Sequence, residues 1–181
     1  MGLERLWAGW RSDYLQSVTG APTDDATEER CVFCRILTSG EPDADTYVLW
    51  RGERCLAILN AFPYASGHLL VMPSRHVADL EALEGDEGAE LWEAVRAGVL
   101  AVKEAYRPDG VNVGANLGRA AGAGVPGHLH LHVVPRWAAD SNFVTSIAEA
   151  RVLPEALGTT YERLRDGWPG GTGSPQARPR S

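Results

Sequence analysis

The chain has 181 residues and a formal net charge of −7 at neutral pH, with 44% hydrophobic and 23% charged residues. This length suits one domain with a hydrophobic core, and the acidic balance argues against nucleic acid or an anionic membrane surface as a partner. No apolar run reaches the roughly 18–20 residues of a membrane span, and the start MGLERLWAGW is unlike a signal peptide, so we expect a cytoplasmic protein with reduced cysteines.

The two ends of the chain are predicted to lie outside the folded domain. Residues 1–18 carry Leu, Trp and Tyr near helical spacing, which predicts an amphipathic, tryptophan-bearing arm. Residues 19–30 (TGAPTDDATEER) are polar and contain Gly and Pro, which indicates a linker. Residues 167–181 (GWPGGTGSPQARPRS) have the composition of a disordered tail. The domain is therefore expected at residues 31–166.

Apolar runs and turn signals predict strands and helices within this domain. Three strand-like runs come first, at 47–50, 55–59 and 68–72. A helix of about twenty residues follows, with Asp86 as its expected N-cap and Pro108 at its end. Two strands at 111–117 and 128–135 and a helix at about 154–166 complete the domain. This order predicts an α+β fold with an antiparallel-dominated sheet, a long helix and a C-terminal helix.

The segment GHLHLHVVPRW, residues 127–137, places a histidine at every second position. Side chains alternate across a strand, so the three histidines are expected on one face and the leucines and valine between them on the other. An edge strand with a solvated polar face explains one or two such histidines. Three in strict alternation, directly after a glycine-rich loop, favour a functional site.

This run resembles the signature of the histidine triad (HIT) superfamily, His-φ-His-φ-His-φ-φ with φ apolar, and every position is filled. The resemblance extends from about residue 31 to about residue 143 and includes ILNAFPYASGHLLVMP, while PRW and SNF resemble the bacterial diadenosine tetraphosphate phosphorylase branch. It implies a HIT-like fold and a homodimer. It also implies that His130 is the nucleophile, that His128 belongs to the supporting structure and that His132 contacts phosphate oxygens.

The chemistry of imidazole is consistent with these roles, because a neutral ring attacks phosphorus without a separate base and is common near pH 7. Attack by His130 on an adenosine polyphosphate gives a nucleotidyl-histidine that a second acceptor discharges. The resemblance favours diadenosine tetraphosphate as the substrate and inorganic phosphate as the acceptor, with ADP and ATP as products. Water as the acceptor, in a dinucleoside polyphosphate hydrolase or a nucleoside phosphoramidase, is the enzymatic alternative. A nucleotide-binding interaction protein without catalysis is the alternative from another functional class. The presence of both His130 and Asn116 argues against it.

Candidate nucleotide-binding residues precede the triad and follow the second strand. The loop NLGRAAGAGVPG can turn backbone N–H groups toward an anion, although a plain turn is the simpler interpretation of the loop alone. The resemblance assigns phosphate binding to the amide of Asn116 and to the backbone of four loop residues, Gly122, Ala123, Gly124 and Val125. Many relatives carry Gln and Ser or Thr in this loop, and their absence here weighs against phosphoramidase activity. Asn60 matches the residue that binds the ribose hydroxyls in the family and is otherwise a turn former.

The CVFC segment, with Cys31 and Cys34, is by itself ambiguous between a redox pair and half of a metal site. The resemblance to zinc-containing HIT proteins implies His76 and His128 as the other two ligands, and therefore a structural Cys₂His₂ zinc site. A zinc ion with four protein ligands has no open position for water, so this ion would support the neighbouring strand and would not act as a Lewis acid.

The remaining cysteine and histidine are predicted to be structural. Cys55 lies in an apolar strand, where a free thiol behaves as a small hydrophobe. His68 is expected to be hydrogen-bonded within the fold. A catalytic zinc on all three triad histidines is disfavoured, because alternation spreads their side chains along about 14 Å of strand.

Overall fold

A computed structural model of the chain describes residues 27–138, 140 and 155–170. The predicted arm at 1–18, residues 19–26 of the predicted linker, the SNF segment and residues 171–181 of the predicted tail lie outside the described residues. Among the helices described, none combines the length and the apolar character that crossing a membrane requires.

Within these ranges, five strands form one antiparallel sheet in the order β1-β2-β3-β5-β4. The strands are β1 Val48–Arg51, β2 Cys55–Leu59, β3 Leu69–Pro73, β4 Gly110–Ala115 and β5 Leu131–Arg136. β2 and β3 are buried along their whole length. Both faces of the sheet centre are covered, which is why CLAIL and LLVMP are continuous apolar runs and not alternating ones. The predicted meander and antiparallel sheet are confirmed.

The described helices include the two that the sequence predicts. The α-helices are α1 Val32–Thr38, α2 Asp43–Thr46, α3 Gly85–Tyr106 and α4 Leu157–Asp166, and short 3₁₀ turns lie at Glu28–Arg30, Leu80–Ala82 and Arg119–Ala121. Helix α3 is the long helix, and α4 is the C-terminal one. The turn at Glu28–Arg30 lies in the predicted linker and leads directly into α1.

The N-cap of α3 is Glu84, so the expectation that Asp86 caps this helix is wrong. The side chain of Glu84 accepts a hydrogen bond from the backbone of Glu87, and the side chain of Glu87 accepts one from Glu84 N–H at 3.3 Å. This reciprocal capping box satisfies two N–H groups, whereas a lone Asp satisfies one. Asp86 lies instead in the first turn, where its charge still favours the helix N-terminus.

Helix α3 packs on one face of the sheet and forms the main core with it. The approach is close at Gly98, where an added Cβ would lie 3.1 Å from Cδ1 of Leu69 in β3. The apolar residues between the triad histidines also belong to this core, as predicted: Leu129, Leu131 and Val133. The opposite face of the sheet carries a second core, to which α1 contributes Phe33 and Cys34.

Helix α4 and the residues after it close the main core. Trp168 is 2% exposed and stacks on Trp50 of β1, with ring centroids 6.2 Å apart. Trp168 thus packs in the main core although it lies beyond residue 166, in the predicted tail. The segment around Trp168 is rich in glycine and proline, so its composition did not indicate that Trp168 packs in the core.

Strand β5 begins at Leu131, three residues later than predicted. His128, Leu129 and His130 lie in the segment that leads into it. The backbone of this segment is still bonded, because Leu129 N–H donates to the carbonyl oxygen of Val77 at 2.6 Å. The alternation of side chains across the sheet continues through it.

Candidate active site and metal centre

The three triad histidines lie on the sheet face that is opposite α3. His128 is fully buried and His130 is 5% exposed, and the ring centroids of His130 and His132 are 5.1 Å apart. β5 lies between β3 and β4. The interpretation of the triad as a solvated face of an edge strand is therefore wrong.

His130 presents an unprotonated ring nitrogen. Its Nδ1–H donates a 2.8 Å hydrogen bond to the carbonyl oxygen of His128, and a neutral imidazole carries only one proton, so Nε2 has a lone pair. Burial lowers the pKa of His130 below its ordinary value of 6.5, which keeps the ring neutral at pH 7. Nε2 of His130 is thus in the state that nucleophilic attack requires.

A chain of hydrogen bonds fixes the protonation of His132. Tyr64 N–H donates to Nδ1 of His68 at 3.0 Å, so the proton of the neutral His68 ring is on Nε2. That Nε2 lies 2.9 Å from Nδ1 of His132 and donates to it. His132 must then carry its own proton on Nε2. Nε2 of His132 is buried and has no hydrogen-bond partner among the described residues, so it offers an N–H donor beside His130.

The environment of His132 disfavours its positive charge. Its pKa is lowered from 6.5 to about 4, first by burial and then by the neighbouring His130. A neutral ring at pH 7 agrees with the hydrogen-bond chain, because an imidazolium could not accept at Nδ1. The ring is also parallel to that of Tyr64, at 5.9 Å between centroids and 18° between planes. His68, predicted to be hydrogen-bonded within the fold, is 1% exposed and bonded as expected.

The glycine-rich loop folds back on itself before the triad. Gly122 N–H donates to the carbonyl oxygen of Arg119 at 2.9 Å, and Ala123 N–H donates to that of Gly118 at 3.3 Å. Gly118 and Gly122 both have positive φ angles, of 77° and 89°, which glycine adopts without strain. The amides of Gly122 and Ala123 are thus engaged within the loop.

The rest of this loop borders the same region. The amides of Gly124 and Val125 make no backbone hydrogen bond to another described residue. Nδ2 of Asn116 lies 3.5 Å from the carbonyl oxygen of Gly122, which it contacts as a donor. Asn116 therefore lies at the junction of β4 and the loop, with its amide directed at the loop.

Asn60 follows β2 and lies next to His68. Its Oδ1 accepts a hydrogen bond from Phe62 N–H at 3.0 Å, which is the local bond of a turn-forming asparagine. Its Nδ2 lies 3.4 Å from both ring nitrogens of His68. The turn-forming interpretation of Asn60 is thus confirmed, and the residue also contacts the histidine that bonds His132.

The four residues assigned to the metal come together. The ligand atoms of Cys31, Cys34, His76 and His128 all lie within 4.8 Å of one another. Nδ1 of His128 lies 3.4 Å from Sγ of Cys31 and 3.5 Å from Sγ of Cys34. Nδ1 of His76 lies 3.3 Å from Sγ of Cys34. CVFC is therefore half of a four-residue cluster whose other half is His76 and His128.

This cluster fits a tetrahedral zinc ion. Zn–S bonds of about 2.3 Å and Zn–N bonds of about 2.1 Å place the sulfur and nitrogen ligands about 3.6 Å apart, close to the separations observed. Nε2–H of His128 donates to the carbonyl oxygen of Pro73 at 2.8 Å, so Nδ1 is unprotonated and directed at the cysteines. Burial is the main cause that raises the pKa of Cys34 to about 12. A bound cation is what would keep this thiol ionised.

Two backbone regions hold the two histidines of this four-residue cluster side by side. Pro73 O accepts from the ring of His128 at 2.8 Å, and Val77 O accepts from Leu129 N–H at 2.6 Å. His76 lies between these two acceptors in the chain. The segment that carries His76 is thus bonded to the residues next to His130.

Two contacts of this site were missed in the sequence. His68 bonds His132, and Phe33 packs against both His128 and His130. In the sequence, His68 is marked only by its position before an apolar strand. Its contact with His132 follows from the strand register, in which Leu70 pairs with His132. Cys55, predicted as a core thiol, is fully buried in the main core and lies apart from the metal cluster.

Comparison with known proteins finds sequences similar to this chain. The sequence model of the HIT domain family matches residues 41–139. A Mycobacterium tuberculosis protein named AP-4-A phosphorylase is 40% identical over 168 residues, which cover 92% of this chain and 85% of that protein.

Two solved structures share the fold. A zinc-bound histidine triad family protein from Mycobacterium smegmatis superposes with a TM-score of 0.63 at 31% identity, covering 78% of this chain and 94% of its own. A hypothetical histidine triad nucleotide-binding protein from Sulfolobus tokodaii gives a TM-score of 0.62 at 30% identity, covering 76% and 91%.

Proposed function

This chain belongs to the HIT domain family, and we propose that it transfers a nucleotidyl group from an adenosine polyphosphate to His130. The proposed substrate is diadenosine tetraphosphate, with inorganic phosphate as the second acceptor. The name of the Mycobacterium tuberculosis relative supports this choice. The observation that carries the proposal is the unprotonated Nε2 of His130 beside the N–H donor of His132.

The reaction proceeds in two displacements. Nε2 of His130 attacks the α-phosphorus, the α–β phosphoanhydride bond breaks, and ATP leaves. An oxygen of inorganic phosphate then attacks the same phosphorus, the P–N bond breaks, ADP is released, and His130 is restored. Splitting the reaction in this way replaces one difficult step with two easier ones.

The residues around His130 supply charge stabilisation, which dominates phosphoryl-type transfer. Nε2–H of His132 donates to an oxygen of the α-phosphate. The amides of Gly124 and Val125 and the side chain of Asn116 contact the phosphates, whereas Gly122 and Ala123 shape the loop in the conformation described. Asn60 binds the ribose hydroxyls, for which its amide provides a donor and an acceptor.

We also propose that Cys31, Cys34, His76 and His128 hold a structural zinc ion. The distances between ligand atoms and the zinc-bound Mycobacterium smegmatis structure support this. The ion would supply a crosslink between α1, the segment that carries His76 and the segment that leads into β5. With all four ligands from the protein, this crosslink would act on the position of His130 and not on the substrate.

We propose a homodimer in which β4 and α3 lie at the interface. β4 is an edge strand whose Val113 is 41% exposed, and α3 exposes Trp92 and Leu100. Edge strands with exposed apolar residues pair readily with a second chain. Sedimentation of the wild-type chain should show a dimer, and Val113→Lys should shift it to a monomer. A wild-type monomer at all concentrations would contradict this arrangement.

The experiment for the reaction is product analysis with and without inorganic phosphate. Wild-type protein incubated with diadenosine tetraphosphate and phosphate should give ADP and ATP on nucleotide chromatography. AMP and ATP in equal amounts would identify water as the acceptor, and hence a hydrolase. Cleavage of a nucleoside phosphoramidate in preference to the polyphosphate would identify a phosphoramidase.

The proposed intermediate requires a direct test. Denaturing the enzyme during turnover should trap one nucleotidyl group on His130, detected by mass spectrometry of its peptide. His130→Ala should bind AMP and lose at least about a thousandfold in kcat. Full turnover by His130→Ala would refute the mechanism, and binding without turnover in the wild type would identify a nucleotide-binding interaction protein.

A further inference from the structure

Phe33 lies between the two cysteines of CVFC and contacts the proposed nucleophile. Its ring centroid is 5.4 Å from that of His130, with 60° between the planes. It is also 5.4 Å from the ring of His128, at 84°. One aromatic side chain therefore touches both a metal-cluster residue and His130.

The direction of Phe33 is set by the helix that the cysteines begin. Cys31 is the N-cap of α1 and Cys34 lies within its first turn. Phe33 is 8% exposed, whereas the adjacent Val32 is 44% exposed. The first turn of α1 thus points the two cysteines and Phe33 inward, and Val32 outward.

The plane of the His130 ring is not fixed by its hydrogen bond alone. Its Nδ1–H bond to the carbonyl oxygen of His128 fixes one atom of the imidazole, but a single hydrogen bond leaves the ring free to tilt about it. The ring of His132 lies on His130 at 5.1 Å and 65°, and Phe33 provides a second aromatic contact. Aromatic pairs at these separations prefer tilted or edge-to-face arrangements, so together they restrict the plane of His130.

We propose that Phe33 is a positioning residue that holds the imidazole of His130 in line for attack. Because Phe33 lies between Cys31 and Cys34, metal binding by the two cysteines would also help to fix the orientation of the His130 ring. This inference rests on the proposed nucleotidyl transfer to His130. The four-residue cluster would then influence the position of His130 in two ways. One is the contact with the side chain of Phe33, and the other is the hydrogen bond from Nδ1–H of His130 to the backbone carbonyl oxygen of His128. A misplacement of about 1 Å in a nucleophile lowers the rate about a hundredfold, so loss of this contact affects kcat more than substrate binding.

The test compares Phe33→Leu with Val32→Ala, a matched control in the same motif. Phe33→Leu should keep its fold by circular dichroism and its full zinc content, keep KM within about twofold, and lower kcat tenfold to a hundredfold. Val32→Ala should retain wild-type kcat and KM. A kcat for Phe33→Leu within twofold of wild type would overturn the proposal. A loss that added zinc fully restores would overturn it too, since Phe33 would then serve only metal retention.

A second measurement does not depend on activity. In NMR spectra, ring currents from Phe33 should displace the imidazole CH signals of His130, and its Nδ1–H should exchange slowly. Phe33→Leu should move these signals and speed the exchange, while Val32→Ala leaves both unchanged. Unchanged His130 signals in Phe33→Leu would refute the positioning contact even in an active enzyme. If the wild type is inactive while these signals respond, the proposed function fails and the positioning contact stands.

Discussion

Nε2 of His68 donates a 2.9 Å hydrogen bond to Nδ1 of His132, across 64 residues of sequence. Because Nδ1 of His68 accepts from Tyr64 N–H, this bond has one direction and places the remaining proton of His132 on Nε2. His68, which lies outside the triad, thus determines that Nε2 of His132 is a hydrogen-bond donor.

Replacing His68 should therefore disturb the tautomer of His132. His68→Leu removes the hydrogen-bond donor to Nδ1 of His132, which costs about 1–3 kcal/mol of stability. We expect kcat to fall about tenfold or more, since the donor proposed to stabilise charge on the phosphate, Nε2–H of His132, becomes misdirected. His68→Gln retains an amide donor and should lose less. Nitrogen-15 NMR of His132 gives the tautomer directly, and an unchanged Nε2–H signal in His68→Leu would contradict the hydrogen-bond chain.

Loss of one cysteine from the metal cluster should release the metal. Cys31→Ser should contain little zinc by elemental analysis, and its free energy of unfolding should fall by about 3 kcal/mol or more, because metal binding is coupled to folding. Cys55→Ser is the matched control, since Cys55 lies in the main core. It should keep its zinc. Unchanged zinc content in Cys31→Ser would refute the four-residue site.

Acid should destabilise the protein through His132. The pKa of His132 is lowered to about 4 in the fold, mainly by burial, while the unfolded value is about 6.5. Between these values the unfolded chain binds the extra proton, so the free energy of unfolding is highest above pH 6.5 and falls as the pH drops toward 4. One group with this shift contributes at most about 3 kcal/mol.

The contribution of His132 is measured by urea unfolding at pH 7 and pH 4.5. Its ring faces His68, His130 and Tyr64, and His132→Gln removes only the imidazole at position 132. The stability of this variant should fall less between the two pH values than that of the wild type. Acid release of the proposed zinc ion would affect both proteins, so the difference between their stability losses reports His132. Equal losses would show that His132 does not titrate in this range.

Gly67, directly before His68, should not tolerate a side chain. Its φ is +86°, and an added Cβ would lie 2.9 Å from Cε2 of Tyr106 and 3.2 Å from Cγ of Pro135. Gly67→Ala should lower the stability by about 2 kcal/mol or more, from the φ strain and the clash together.

Gly40 provides the control for that substitution. Its φ is +71°, but nothing lies within 4 Å of an added Cβ. Gly40→Ala should therefore lose only the cost of the positive φ, about 1 kcal/mol. Thermal unfolding of both variants separates strain from clash, and equal losses would show that Tyr106 moves aside without cost.

The sequence by itself determined the local side-chain pattern of the candidate site and indicated its chemistry. Alternation placed the triad histidines on one face and Leu129, Leu131 and Val133 on the other, because that alternation is a property of consecutive residues in an extended chain. The resemblance in the HIT signature and CVFC predicted the four members of the metal cluster, whose cysteines and His128 are more than 90 residues apart.

Only the tertiary structure decided which residues touch His130 and His132. His68 reaches His132 because β3 pairs with β5 in the register that places Leu70 opposite His132. Phe33 reaches His130 because α1 packs on the sheet face away from α3. Trp168 joins the core by stacking on Trp50. Strand register and the packing of distant elements set these contacts, and neither is encoded in the spacing of neighbouring residues.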